Sequence, residues 1–309
     1  MKRYLVTGAA GFIGSKIAQK LVDTGNEVWT IDNLSTGFKE NIPEGAKFIE
    51  GDCQDPESIK RLDQTRFDAV IHFAGQSSGE ISFDDPVYDL RTNTESTLML
   101  IKYSLENDCG HFVYASSMSV YGEVTEKPIS EKHVTKPLSF YGVGKLASEN
   151  YLRIYAEKGL EATSLRLFNV YGPGQNMENL RQGMVSIFLA QLLKQDKVIV
   201  KGPLDRFRDL NYIDDICDFV LNMVGDERSF GKIYNVGTGV KTTVKELLAK
   251  MMELAESKKQ VVVEKGTPGD QKGIYADMTL AKTDLGFECR YSIEEGLAKM
   301  ISWAKGFEW

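Results

Sequence analysis

The chain has 309 residues, 42% of them apolar and 26% charged, enough to bury a substantial core in a soluble fold. Its 37 basic and 44 acidic side chains leave a net charge of −7, so there is no global positive field for nucleic acid or an anionic membrane. No stretch approaches the roughly 20 apolar residues of a membrane span, and Cys53, Cys109, Cys217 and Cys289 contain no CxxC pair, so a reduced cytoplasmic protein without a metal site is expected.

Met1-Lys2-Arg3 leads directly into a first strand over 4–7 and not into a leader segment. Further strands are predicted over 27–31, 47–50, 69–73, 111–115 and 162–167. Helical spacing lies between them, in Ile13, Ile17 and Leu21 and again in Leu90, Leu98, Ile101 and Leu105. This alternation predicts an α/β fold, a doubly wound parallel (Rossmann) sheet whose ligand sits at the carboxyl ends of its strands. After Asn169 the rhythm changes at Gly172-Pro173-Gly174. A helix is predicted over about 183–194 and a strand over 198–200, with 209–213 and 233–236 returning to the main sheet. A helix over 244–257, a strand over 261–264 and a helix over 292–304 would complete a smaller C-terminal α/β domain. The division is therefore 1–168, with returns near 205–238, for a dinucleotide, and 169–204 with 239–309 for the substrate. No repeat or low-complexity linker separates them, so the two parts should be interwoven.

Gly8, Gly11 and Gly14 stand between the first strand and the first helix, in Thr7-Gly8-Ala9-Ala10-Gly11-Phe12-Ile13-Gly14. Glycines there permit a tight turn, close approach of backbone to a pyrophosphate and close helix–strand packing. The helix N-terminus then presents unpaired N–H groups to the phosphates. A plain tight turn explains such a loop taken alone; the context argues for more. Asp32 ends the second strand 18 positions after Gly14, where a carboxylate accepts bonds from the adenosine ribose hydroxyls and repels a 2′-phosphate, which favours NAD over NADP. Gly51-Asp52 after the third strand and His72-Phe73-Ala74-Gly75 after the fourth are either further cofactor contacts or simple strand exits.

Tyr141 and Lys145 stand four apart, one helical turn on the same face. A tyrosine with its ordinary pKa near 10 must fall by roughly 3 units, about 4 kcal/mol, to act as a base near neutrality. A lysine ammonium and a positive nicotinamide ring would supply that shift. Such pairs also arise by chance on any helix, but Ser116-Ser117 ends the fifth strand and so points at the same crevice.

These motifs together resemble the extended short-chain dehydrogenases that act on nucleotide sugars. Gly8-x-x-Gly11-x-x-Gly14, Asp32, Asp52, His72-x-Ala74-Gly75, Asn93, Ser117, Val120-Tyr121-Gly122, Tyr141-x-x-x-Lys145 and Arg166-x-Phe168-Asn169-Val170-Tyr171-Gly172-Pro173 stand in that family's order. Arg208-Asp209, Asn235-Val236-Gly237 and Pro268-Gly269-Asp270 continue the match over nearly the whole chain. The resemblance implies that Tyr141 is the base at the sugar 4-hydroxyl, that Lys145 holds the nicotinamide ribose, and that Ser117 steadies the 4-oxygen. It implies an NAD site from Gly8, Gly11, Phe12, Ile13, Gly14, Asp32, Asn33, Asp52, Cys53, Phe73, Ala74, Gly75 and Asn93, with Tyr141 and Lys145. It implies a nucleotide-sugar site from Ser78, Ser117, Met118, Tyr141, Asn169, Met184, Val185, Arg208, Asp270 and Ile274. A homodimer is also implied, through helices near 93–106 and 141–158 that would bury Leu98, Ile101, Leu146 and Ile154.

Within the family, 4,6-dehydratases place an Asp-Glu pair after the catalytic hydroxyl residue, and here those positions are Met118 and Ser119. Decarboxylases of the family typically have a glutamate at the position of Ser119. Neither reaction is therefore expected. Asp32-Asn33-Leu34-Ser35 and Gly183-Met184-Val185-Ser186-Ile187-Phe188 resemble the UDP-sugar 4-epimerase branch. The expectation is an NAD-dependent C4 epimerase of a nucleotide-diphosphate sugar, with a UDP-hexose favoured. The alternatives are a 4-keto-sugar reductase, an epimerase at another carbon, or an inert NAD-sensing protein, which would be expected to have lost Tyr141 or Lys145. Thr267 departs from the family's second phosphate-binding arginine, leaving Lys265, Lys272 or Arg206 to compensate. Ile274 would face the sugar's C2 substituent.

Overall fold

The short apolar runs of the central strands are buried on both faces, and the amphipathic segments between them fold back as helices. The computed structural model describes residues 1–124, 127–266, 269 and 271–306. The first half comprises β1 (Arg3–Thr7), α1 (Phe12–Asp23), β2 (Glu27–Asp32), β3 (Lys47–Glu50), α2 (Pro56–Lys60), β4 (Ala69–His72), α3 (Pro86–Leu90), α4 (Ser96–Glu106), β5 (His111–Ser117), α5 (Phe140–Ala156) and β6 (Ala162–Leu167). The second comprises β7 (Asn169–Tyr171), α6 (Met184–Lys194), β8 (Lys197–Lys201), β9 (Phe207–Arg208), β10 (Leu210–Tyr212), α7 (Ile213–Met223) and β11 (Lys232–Val236). It ends with β12 (Thr242–Thr243), α8 (Val244–Leu254), β13 (Gln260–Glu264), α9 (Thr279–Leu285) and α10 (Ile293–Lys305).

Seven parallel strands form the main sheet in the order β11-β6-β5-β4-β1-β2-β3. The order reverses at β1, so a crevice opens at the carboxyl ends of β1 and β4. Side chains alternate across the sheet: Val6, Ile71, Val113 and Leu165 enter one buried cluster, Leu5, Val70, Phe112 and Tyr114 the other.

Only one of the two expected late returns joins this sheet. β11 pairs with β6 from Lys232↔Thr163 to Val236↔Leu167, which takes the free edge. Leu210–Tyr212 instead pairs with Asn169–Tyr171, the continuation of β6 beyond Phe168. That small parallel pair carries Asn169 out over the crevice. β8 and β13 form a second parallel pair, from Gln260↔Lys197 to Glu264↔Lys201.

Behind the crevice a buried polar network fixes α5 against the sheet. Arg166 of β6 grips Glu149 of α5 through two parallel bonds of 2.9 and 2.7 Å, both side chains nearly inaccessible. Ser116 of β5 donates to the same carboxylate, and Arg166 also donates to Tyr121, which donates to Asn235 of β11. A buried pair contributes modestly as a whole, but removing one partner strands the other. Glu149→Gln should therefore cost about 3–5 kcal/mol in urea denaturation, against the near-neutral result expected of an exposed glutamate such as Glu157.

Candidate active site

Gly8 sits at φ +71°, and a Cβ there would come within 2.7 Å of the Ala74 nitrogen. A Cβ on Gly14 would come within 2.8 Å of the Gly8 carbonyl carbon, so only glycines let the β1–α1 turn lie this close to the loop after β4. Gly11 begins α1 with no side-chain cap, which leaves N–H groups of the first turn free to meet a phosphate. Asp32 accepts from the Ala10 nitrogen at 2.9 Å and the Leu34 nitrogen at 2.8 Å, so its carboxylate is locked at the cleft wall. Asn33 donates to Asp52 at 2.8 Å, and Cys53 and Phe73 complete this half of the wall. Open cradle, uncapped helix and fixed carboxylate together fit a dinucleotide. The loop of Ser35, Thr36, Gly37 and Phe38 also lines the cleft; without apolar periodicity it gave no signal in the sequence.

The same cleft, about 940 Å³ in volume, runs past the ends of β5 and α5. Ser139 caps α5 by accepting from the Gly142 nitrogen, and Gly142 allows the helix close to the turn after β5: a Cβ there would meet the Ser119 oxygen at 2.6 Å. One turn later Lys145 donates to the Ala115 carbonyl at 2.9 Å. Its ammonium lies 5.7 Å from the Tyr141 ring centroid and 5.0 Å from that of Tyr114. Ser117 accepts from the Ser119 nitrogen, and its hydroxyl favours the Tyr141 phenolate. Burial nevertheless dominates: it pushes Tyr141 up to about 12 and pulls Lys145 down to about 8. The buried phenol is thus harder to ionise than one in water. Bringing it to neutrality takes on the order of 7 kcal/mol, more than the 4 kcal/mol reckoned from the free amino acid.

At the far end, Ser78, Met118, Asn169, Met184 and Val185 line the wall. Asn169 donates to the Asp209 carbonyl at 3.3 Å and approaches the Met118 sulfur at 3.5 Å. Arg208 is buried, with its guanidinium donating to the carbonyls of Phe207 and Gln271 at 2.8 and 3.1 Å. Burial, then the neighbouring Arg206, lowers Arg208 to about 10. Of the three cations weighed for the position of Thr267, Arg206 lines the cleft, and Lys265 and Lys272 do not. Thr267 and Asp270 lie outside the described residues. Among the described residues no cluster of His, Cys, Asp or Glu is placed to hold a metal ion.

Two expected site residues are not on the wall. Asn93 is buried behind it, its amide donating to the Gln76 carbonyl and to Asp89 at 2.9 and 3.1 Å. The chain widens into a π-helical turn over Arg91–Glu95, which carries Asn93, and its Oδ1 lies beside Gly75 of the cleft wall. Ile274 is fully buried in the core. It is flanked by two bridges, Phe207↔Gly273 and Ile129↔Ala276, that hold its segment into the body of the protein. Counting residues from a loop motif cannot foresee those bridges. Ile274→Tyr should consequently overpack the core and lower stability by about 1–3 kcal/mol. A melting curve unchanged from that of the parent would contradict this burial.

Residues 4–237 match the family model described as the NAD dependent epimerase/dehydratase family. A putative UDP-glucose 4-epimerase of Methanocaldococcus jannaschii is 34% identical over 303 residues, covering 97% of this chain and 98% of that protein. A UDP-glucose 4-epimerase of Thermotoga maritima, solved with UDP-glucose, superposes with a TM-score of 0.94 at 35% identity, covering 98% of each chain. The Thermus thermophilus UDP-glucose 4-epimerase, solved with NAD, gives 0.91 at 34% identity over 98% of this chain and 99% of that one. With a glycine cradle, a Ser–Tyr–Lys cluster and these similarities along its whole length, the chain belongs to the NAD-dependent epimerase/dehydratase family.

Proposed function

We propose that this protein epimerises a nucleotide-diphosphate sugar at C4, with a UDP-hexose as substrate and a tightly held NAD as cofactor. The observation that carries the reading is the meeting of Tyr141, Lys145 and Ser117 in one continuous cleft, with the glycine cradle at one end and Arg206 and Arg208 at the other. The glycine cradle and Asp32 would hold NAD, whose chemistry would be acceptance and return of the C4 hydride. Tyr141 accepts the proton of the 4-hydroxyl and later gives it back. Lys145 and the positive nicotinamide stabilise the phenolate against the burial that raises it. Ser117 steadies the 4-oxygen. Asn169 and the two arginines hold the sugar and its diphosphate, a task suited to forked donors. Met118 and Ser119 offer no acid or base for dehydration, so the 4-keto sugar has no exit but reduction. Relatives named for UDP-glucose epimerisation support the uracil nucleotide and the hexose.

The reading extends to a cytoplasmic homodimer. Four free cysteines suit a reducing compartment, and among the described residues no helix is long and apolar enough to cross a membrane. The dimer face differs in part from the sequence expectation: Ile101 is fully buried and belongs to the core. Val143, Tyr151 and Ile154 of α5 and Val87 and Leu90 of α3 are exposed, an unusual run of apolar side chains for a monomer.

Tyr141→Phe should keep its NAD, measured by chromatography after heat release, yet lose about 10²–10⁴-fold in turnover. Near-normal epimerisation by that variant would remove Tyr141 as the base. In light scattering the parent should run at twice 34.6 kDa and a Val143→Asp/Ile154→Asp variant at 34.6 kDa; a parent already monomeric at micromolar concentration would rule the dimer out.

A further inference from the structure

Packed against α5 at Gly144 lies a carboxylate that nothing in the sequence marks out. Asp89 of α3 is 1% exposed. Its Oδ1 accepts from Gln76 at 2.8 Å and from Asn93 at 3.1 Å, and its Oδ2 is buried without a partner. Oδ2 faces Gly144, where an added Cβ would stand only 3.6 Å away. Asn93 repeats the pattern: its Oδ1 is also buried and unpartnered, and it converges with the Lys145 ammonium on the space beside Gly75. A Cβ added at Gly75 would lie 2.5 Å from that oxygen and 3.5 Å from the lysine nitrogen. The π-helical turn over Arg91–Glu95 brings Asp89 and Asn93 together, and Thr94 and Ser148 bond that turn to α5.

We propose that Asp89 is a positioning residue, the buried counter-charge that keeps Lys145 an ammonium ion and, through Asn93, sets the floor on which Lys145 and Tyr141 stand. This rests on the assignment of Tyr141 and Lys145 made above. An ammonium in the interior is costly without an anion nearby, and the bond shown for Lys145 goes to a neutral carbonyl. The other groups around the pair do not fill the need. From β4, His72 is held neutral by burial, lowered to about 3 and bonded to Thr7 and Thr97. From β5 come Ser117 and Tyr114, whose phenol burial raises. Further along α5, Glu149 is engaged by Arg166 and Ser116. Burial lowers Lys145 and Asp89 opposes it; burial raises Tyr141 and Asp89 adds to the rise.

The signs make a specific expectation. Replacing the carboxylate with an amide should let both Lys145 and Tyr141 titrate at lower pH, so both limbs of the activity profile move the same way. Measured on the NAD-loaded protein, Asp89→Asn should lose up to about tenfold against the parent on the alkaline limb for each unit that the lysine falls, and should gain on the acid limb as Tyr141 ionises at lower pH. A uniform loss at every pH, with both limbs unmoved, would make Asp89 a packing residue and overturn the proposal. Stability supplies a second reading should the single variant fold poorly. In a Lys145→Met background the carboxylate has no cation to serve, so adding Asp89→Asn should raise the denaturation midpoint; a further drop would equally overturn it. Failure of the underlying assignment looks different, because Tyr141→Phe would then remain active whatever Asp89 does.

Discussion

The buried Lys145 cation organises the catalytic part of this site. The Lys145 ammonium meets the Ala115 carbonyl at the end of β5, and the helix that carries it can lie there because Gly142 presents no side chain to the turn after β5. The Glu149–Arg166 pair, one turn further on, holds α5 to β6, so the rotation of the helix and hence the aim of Tyr141 is fixed from behind. Interiors of this density leave few alternative arrangements, and a small tilt of α5 would separate phenol, ammonium and the Ser117 hydroxyl together.

The electrostatics follow from that burial. Buried as they are, the phenol resists ionisation and the lysine amine resists protonation. The Ser117 hydroxyl eases ionisation of Tyr141 and Asp89 favours the charged lysine, and a positively charged oxidised cofactor would relieve what remains of the phenol's resistance. Proton acceptance by Tyr141 would then be strongest when the cofactor is ready to receive hydride and would weaken once it has done so. A reaction that reverses itself in one pocket needs that coupling.

Much of this was legible in the sequence, for reasons that are physical. Strands buried on both faces announce themselves as apolar runs, and glycines at Gly8, Gly11 and Gly14 mark backbone contacts that tolerate no side chain. The Tyr141–Lys145 spacing survives because one helical turn is a local property. What failed depended on distant partners. Leu210–Tyr212 could not be placed without knowing that β11 occupies the edge of β6, and Ile274 could not be assigned without the bridges on either side of it. Asn93 missed the cleft because a π-helical turn leaves no mark in periodicity. Asp89 was silent for a related reason: in the sequence it is one more acid near a short helix, and only the fold buries it against α5 at Gly144.

The account stands or falls on hydride leaving and re-entering C4 within one cleft. The direct measurement is to incubate the purified protein, without added cofactor, with a UDP-hexose carrying deuterium at C4 in ordinary water, and to analyse the product by NMR and mass spectrometry. The C4 epimer should form with its deuterium fully retained at C4. Exchange of the label into solvent, or no turnover until reduced nicotinamide cofactor is supplied, would contradict it.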